Sequence, residues 1–285
     1  MEIFTEPAEM QEYAGRQKAA GSTIGLMPTM GALHEGHLSL MRAARAQCDI
    51  VIASVFVNPA QFGPQEDFAK YPRQFDLDCR KLESVPVDAV FHPEAESMYP
   101  SGFAAYVSCD GDLTQKLCGA RRPGHFRGVA TVVTKLLQIS RADKAFFGQK
   151  DAQQVAVIRR VVEDLNIPAA IEMVPIVRES DGLARSSRNM YLNPSEREAA
   201  TVLYRSLTAG RQAFRQGERD SRKILAAVRQ VLAEEKLARI DYADMYTFPA
   251  LQPVQQVENR TLLAIAVQIG QTRLIDNIIL EAEAR

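Results

Sequence analysis

A chain of 285 residues, 46% hydrophobic and 24% charged, has the composition of a globular protein and is long enough for two domains. Its 34 Lys and Arg against 35 Asp and Glu leave a formal charge of −1, which argues against nucleic acid as a partner but leaves room for a local positive site. No apolar run approaches the roughly 18 residues of a membrane span, residues 1–10 lack the features of a secretory signal, and four scattered cysteines without a C-x-x-C pair point to reduced thiols in the cytoplasm.

Residues 24–30 predict a strand, followed by a glycine-bearing loop and a helix over 36–47. The run DIVIASVFV at 49–57 is apolar on both faces, as a central parallel strand should be, and stops at Asn58-Pro59. A helix-compatible connector at 73–84 leads to a short apolar run at 88–92 and a strand-like AAYVS at 104–108. Residues 125–140 carry one buried helical face, 144–148 a short strand closing on glycine, 151–166 a helix with Asp151 placed as its N-cap, and 169–178 a last strand. This alternation predicts a Rossmann-like, doubly wound parallel sheet. After residue 180 the pattern becomes two helices, 195–216 and 221–236, then strands at 240–248, 261–269 and 273–280, the last two joined at Gly270-Gln271-Thr272. The expected division is therefore an α/β domain over 1–177 and a smaller α+β domain over 178–285, with a ligand cleft between them.

The densest chemistry lies in the run from Met27 to Leu38, where strand gives way to helix. Gly31 and Gly36 let backbone approach a ligand, the helix start favours anionic oxygens, and His34 and His37 can turn the same way toward a leaving pyrophosphate. Taken alone, H-x-G-H also reads as two surface histidines on a loop, and no further ligand is spaced to complete a zinc site. Asn58 and Gln61 offer two carboxamides to a small organic substrate, or form an ordinary turn. Gly148, Gln149, Lys150 and Asp151 repeat the strand–glycine–helix arrangement, with Gln154 one turn on; Lys150 can reach a phosphate and Asp151 a ribose hydroxyl. Ser186, Ser187, Arg188 and Asn189 suit a triphosphate, and Arg121, Arg122, His125 and Arg127 share one basic Gly/Pro loop. Lys150, Arg122, Arg127 and Arg188 are expected to gather at one positive site hidden in the neutral average.

In this order and spacing, PTMGALHEGHLSL, FVNPAQF, KYPR, RRPGHFRGV, FGQKDAQQ and SSRNMYL resemble the pantoate–β-alanine ligase family over nearly the whole chain. The resemblance implies the H-x-G-H nucleotidyl-transfer type of Rossmann-like fold with a C-terminal lid. It also implies an AMP-forming ligase that joins pantoate and β-alanine through pantoyl adenylate, uses ATP with Mg²⁺ held on its phosphates, and forms a homodimer. On matching positions, His37, His34 and Lys150 take the catalytic roles. Met30, Gly31, Ala32, Leu33, His34, Glu35, Gly36 and His37 form one ATP segment. Gly148, Gln149, Lys150 and Asp151 form a second, and Val177, Arg185, Ser186, Ser187 and Arg188 complete the nucleotide site. Gln61, Gln154 and Asn58 hold pantoate and β-alanine, with Tyr71, Arg122 and His125 as weaker matches. Arg185 departs from the family's usual apolar residue. Two rivals stay open at this level: a nucleotidylyltransferase with a stable adenylated product, and a non-catalytic nucleotide sensor.

Overall fold

The computed structural model describes residues 1–64 and 66–281. Its strands are β1 (Glu2–Phe4), β2 (Ile24–Thr29), β3 (Ile50–Val55), β4 (Ala89–Phe91), β5 (Lys144–Gly148), β6 (Ala170–Val174), β7 (Ala238–Thr247), β8 (Thr261–Ile269) and β9 (Thr272–Leu280). Its helices are α1 (Pro7–Ala19), α2 (Glu35–Arg45), α3 (Phe75–Glu83), α4 (Ala95–Met98), α5 (Leu117–Arg121), α6 (His125–Ser140), α7 (Ala152–Asp164), α8 (Pro194–Ala199), α9 (Val202–Arg215) and α10 (Ser221–Ala233). The chain forms two compact units, one of residues 1–148 with 157–175, the other of residues 149–156 with the chain from Ile176 onward.

In the first unit, six parallel strands run in the order β1-β4-β3-β2-β5-β6. β2 and β3 are buried on both faces and pair from Ile24↔Ile50 to Thr29↔Val55. Leu40, Met41 and Ala44 of α2 close over Met27, Val51, Ala53 and Phe146 on one face. From β2 the chain winds outward through β3 and β4 on one side and, later, through β5 and β6 on the other. The switch in winding direction therefore falls between β2 and β5, where ligands bind in open α/β sheets.

Three local expectations within the first 180 residues differ from the structure. AAYVS is not a strand: the Val107 N–H donates to the Thr131 hydroxyl of α6 at 3.0 Å, so side-chain chemistry replaces a ladder bond. The strand expected over 169–178 ends at Val174, ahead of Pro175, which has no N–H to donate. Asp151 does not cap the helix from outside but sits in a 3-10 turn, Gln149–Asp151, that runs straight into α7. β1 and α1 carried too weak a pattern to be read.

In the second unit, α9 and α10 bury Leu203, Leu207, Ile224, Val228 and Leu232 against Leu263, Ile265 and Val267 of the antiparallel sheet β7-β8-β9. The single helix expected over 195–216 divides into α8 and α9. At the break the Thr201 hydroxyl donates to the Glu198 carbonyl at 2.8 Å, competing with the helical ladder.

Candidate active site

The first cluster grows from the end of β2. The Thr29 hydroxyl donates to the Ser54 carbonyl at 2.7 Å and accepts the Gly31 N–H at 3.3 Å. Gly31 (φ 80°) and Ala32 (φ 49°) then turn the chain through left-handed backbone. The turn is gripped from α3. Asp78, fully buried, accepts the N–H groups of Ala32 at 2.9 Å and Leu33 at 2.8 Å, while the Lys81 ammonium donates to the Leu33 carbonyl at 2.5 Å. A Cβ at residue 31 would lie 2.9 Å from Asp78 Oδ2, so glycine is required for space as well as for φ. Burial pushes the Asp78 carboxyl up, against the pull of the Leu33 and Ala32 N–H groups, and the balance leaves it raised.

The two histidines of the H-x-G-H motif start α2 by capping each other's backbone. His34 Nδ1 accepts the Gly36 N–H at 3.1 Å, and His37 Nδ1 accepts the His34 N–H at 3.3 Å. An Nδ1 that accepts leaves the proton of a neutral imidazole on Nε2, so both rings present an Nε2–H donor. The rings lie side by side, centroids 4.1 Å apart. The N–H groups of Gly31, Ala32, Leu33, His34 and Gly36 all have partners within the chain. What this segment offers an anion is therefore a pair of imidazole donors at the positive end of a helix, rather than a backbone cradle.

The second cluster follows β3. Asn58 begins the 3-10 turn Pro59–Gln61 and is almost wholly buried. Its amide nitrogen donates to Gln61 Oε1 at 3.0 Å and to the Gly128 carbonyl at 3.2 Å. Its oxygen accepts from the Ala60 N–H at 3.2 Å and the Tyr99 hydroxyl at 2.7 Å. Burial raises the Tyr99 phenol far above its ordinary range, which keeps it a donor. Asn58 is thus engaged inside the protein and holds Gln61, whose own Nε2 donates to Met30 Sδ at 3.1 Å. Met30, Asn58 and Gln61 are brought together.

Behind Gln61 stands a charged bridge. Arg122 binds Glu66 through Nε at 2.7 Å and Nη2 at 2.5 Å, and donates from Nη1 to His125 Nε2 at 3.0 Å. A guanidinium only donates, so His125 Nε2 accepts, the ring proton sits on Nδ1, and Nδ1–H donates to the Gln61 carbonyl at 2.9 Å. Burial works to raise the Glu66 carboxyl, but the hydrogen bonds and charge of Arg122 outweigh it and hold it low. Arg127 lies 3.9 Å over the Tyr106 ring. The basic loop expected to serve a triphosphate therefore has Arg122 compensated by Glu66 and Arg127 stacked on an aromatic face. Tyr71 is buried with its ring 6.0 Å from that of Phe62.

Within the second unit, Gln149–Asp151 carries Lys150 with its ammonium 3.7 Å from the Asp151 carboxylate, and Gln154 lies half-buried on α7. A hairpin joins Val177 to Arg185: the Arg185 N–H donates to the Val177 carbonyl at 3.0 Å, and the Glu179 N–H donates to the Leu183 carbonyl at 2.8 Å. Across it the Arg185 guanidinium pairs with Glu179 at 3.0 Å, which gives the departing arginine a partner of its own. Ser186 then caps the 3-10 turn Ser187–Tyr191 by accepting the Arg188 N–H at 3.3 Å. Val177, Arg185, Ser186, Ser187 and Arg188 are gathered by that hairpin and turn.

Several residues of these clusters were not read from the sequence: Asp78, Lys81, Glu66, Tyr99 and, on β9, Asp276 and Asn277. None lies at a recognisable spacing from the segment it holds. The one available signal was an Asp-Asn pair interrupting an otherwise apolar strand, Leu274 to Leu280, where both types are disfavoured.

The model of the pantoate–β-alanine ligase family matches residues 2–279. The chain belongs to the pantoate–β-alanine ligase family. It is 54% identical over 273 residues to the pantothenate synthetase of Pelotomaculum thermopropionicum, covering 96% of each chain. With that of Carboxydothermus hydrogenoformans it shares 52% identity, covering 99% of this chain and 100% of the relative. The crystal structure of the Thermus thermophilus pantothenate synthetase superimposes with a TM-score of 0.93 at 43% identity, over 98% of this chain and 99% of that one. The ligase of Francisella tularensis, described as complexed with β,γ ATP and β-alanine, gives a TM-score of 0.79 at 33% identity, covering 98% of this chain and 97% of that one. Family and fold thus agree with the resemblance carried by the motifs, and the chain is a ligase of this family.

Proposed function

We propose that this chain joins pantoate to β-alanine in two steps. A pantoate carboxylate oxygen attacks the α-phosphorus of ATP and pyrophosphate departs, leaving pantoyl adenylate. The β-alanine amine then attacks the acyl carbon, loses a proton, and expels AMP. The observation that carries the reading is the mutual capping of His34 and His37, which sets both rings with Nε2–H donors at a helix start. Such donors match the negative charge that builds on pyrophosphate as it leaves. His37, in the family's proton-donor position, donates its Nε2–H hydrogen bond to the departing pyrophosphate beside His34, and Lys150 and Arg188 neutralise phosphate charge. Met30 to His37, Gly148 to Asp151, Val177 and Arg185 to Arg188 make the nucleotide site, with Gly31, Ala32 and Leu33 shaping it through Asp78. Gln61 and Gln154 hold pantoate, and Asn58 acts through Gln61. A carboxylate is already a nucleophile, so alignment is the main task, and alignment can supply up to about 7–11 kcal/mol.

Among the described residues no group of three or more His, Cys, Asp or Glu is arranged to hold a metal ion. Magnesium in this reading enters on the phosphates of ATP, where it supplies charge neutralisation. The reading also takes the chain as a homodimer in the cytoplasm. It is supported there by the motif resemblance; no helix among the described residues is long and apolar enough to cross a membrane.

The test is AMP release with ATP, magnesium and pantoate, with and without β-alanine. Sustained AMP formation only with β-alanine is expected. Steady AMP release without it would favour a hydrolase, and pyrophosphate release with the AMP kept in a stable adenylated product would favour a nucleotidylyltransferase; either would end the ligase reading.

A further inference from the structure

Asp276 and Asn277 lie side by side on β9, both nearly inaccessible, at 2% and 3% exposure. Strand alternation sends successive side chains to opposite faces, so neighbours reach different segments. The Asn277 carboxamide donates to the Gln149 carbonyl at 2.9 Å and to the Lys150 carbonyl at 3.0 Å, and its oxygen accepts from Gln149 Nε2 at 3.2 Å. One buried side chain, 127 residues away, thereby fixes the peptide units on both sides of the Lys150 Cα.

Asn277 is itself locked. Asp276 Oδ1 accepts the Asn277 N–H at 2.7 Å, and the Arg178 guanidinium donates to the Asn277 carbonyl at 3.4 Å. Arg178 holds Asp276 in a two-pronged pair at 2.6 and 3.0 Å, stacks 4.4 Å over the Tyr204 ring, and donates to the Gly182 carbonyl at 3.0 Å. Arg178 belongs to the same hairpin that leads into Ser186, Ser187 and Arg188. The buried pair thus registers to one strand the two segments of the second unit that the proposed function assigns to the phosphates. Burial pushes the Asp276 carboxyl up while Arg178 pulls it down. Replacing so buried a pair by apolar side chains of similar volume is often neutral or stabilising, so net stability says little about what the pair does.

We propose that Asn277, locked by the Asp276–Arg178 pair, is the positioning residue for Lys150 in the adenylation step. The inference rests on the assignment of Lys150 to the phosphates. Lys150 reaches a leaving pyrophosphate on a long flexible stem, and its reach is set by where its backbone is held. Removing the Asn277 amide leaves two carbonyls without their donor and lets the 3-10 turn reorient. Only the step that releases pyrophosphate should suffer. The attack of β-alanine on adenylate already formed has no pyrophosphate to neutralise.

The experiment measures single-turnover pyrophosphate release from ATP and pantoate, and separately pantothenate formation from supplied pantoyl adenylate and β-alanine. Both are measured in wild type, Asn277→Ala, Lys150→Ala and the double variant. Asn277→Ala is expected to slow the first step at least about tenfold and leave the second within about twofold; the double variant is expected to be no slower than Lys150→Ala, since residues acting through one group are not additive. A wild-type first step in Asn277→Ala, equal losses in both steps, or a multiplicative loss in the double variant would overturn the proposal. A wild-type rate in Lys150→Ala would instead remove the assignment on which it rests. Should Asn277→Ala fail to fold, Asn277→Ser, which keeps one donor for two carbonyls, carries the same comparison with an intermediate rate expected.

Discussion

Gly128 offers a direct test of how the Gln61 turn is positioned. The first turns of α6 lie so close to the 3-10 turn that a Cβ at residue 128 would sit 2.1 Å from the Ala60 carbonyl oxygen and 2.6 Å from the Gln61 Cα. An ordinary carbon–oxygen contact needs somewhat more than 3 Å, so Gly128→Ala must part helix and turn by about 1 Å. The obstacle is backbone on both sides, and no flexible side chain can yield. The same shift carries the Gly128 carbonyl away from Asn58, whose amide otherwise bonds it at 3.2 Å while holding Gln61 at 3.0 Å. Overpacking of this kind costs about 1–3 kcal/mol, and a misplacement of about 1 Å costs on the order of 10²-fold in rate. The expected result is a folded protein with kcat/KM for pantoate lowered about 10²-fold and the ATP KM changed far less. Val129→Ala is the control. Val129 is 2% exposed on the same helix, and its truncation costs about 2 kcal/mol through lost burial while leaving the turn in place. Activity per folded molecule should then stay at the wild-type level. A Gly128→Ala variant with wild-type kcat/KM, or a Val129→Ala variant equally impaired, would refute the reasoning.

Other outcomes follow from the same geometry. His37→Ala or Lys150→Ala is expected to slow pyrophosphate release at least about 10²-fold in single turnover, the scale of one preorganised charge-stabilising group; wild-type rates in both would remove their assigned roles. Asp78→Asn turns one acceptor into a donor facing a backbone N–H of the Ala32–Leu33 turn, and should cost about 1–3 kcal/mol in urea unfolding while weakening ATP more than pantoate in calorimetry. Glu66→Gln removes the charge that grips Arg122, with side chains 25% and 18% exposed, and should destabilise by about 1.5–3 kcal/mol at pH 7. Because the folded Glu66 carboxyl lies below its unfolded value, that stabilisation is present above the unfolded pKa and is lost as pH falls through the lowered one. Urea midpoints of wild type and Glu66→Gln should therefore stay a constant distance apart from about pH 8 to pH 5 and converge only below about pH 4.5; a gap that closes near neutral pH would contradict the assignment.

Much of the molecule was legible from local order along the chain. The apolar run at 49–57, the glycine-bearing loop after residue 30 and the helical stripe at 125–140 each carry their information within a few residues. Periodicity and turn chemistry therefore recovered β3, the H-x-G-H segment and α6. The motifs carried the family as well, because residue type and spacing are themselves sequence properties. Where a local pattern was ambiguous, the reading went astray. AAYVS has the composition of a strand but binds α6 through Thr131, and β1 is too short at three residues to show alternation.

What the linear order could not carry is which distant residue holds each piece of the site. Asp78 reaches back 46 residues to the Ala32 N–H, Arg122 reaches Glu66 across 56, and Asn277 reaches Lys150 across 127. No periodicity spans such separations; they exist only once helices and strands have packed. The charges show the same division. Composition gave a nearly neutral chain and the motifs a set of arginines, but the fold pairs Arg122 with Glu66 and Arg185 with Glu179. Residue types and their order determined which chemistry is on offer. Tertiary packing decided which of those groups face a ligand and which hold another in place, because a side chain's role depends on its partners, and partners are chosen by the fold.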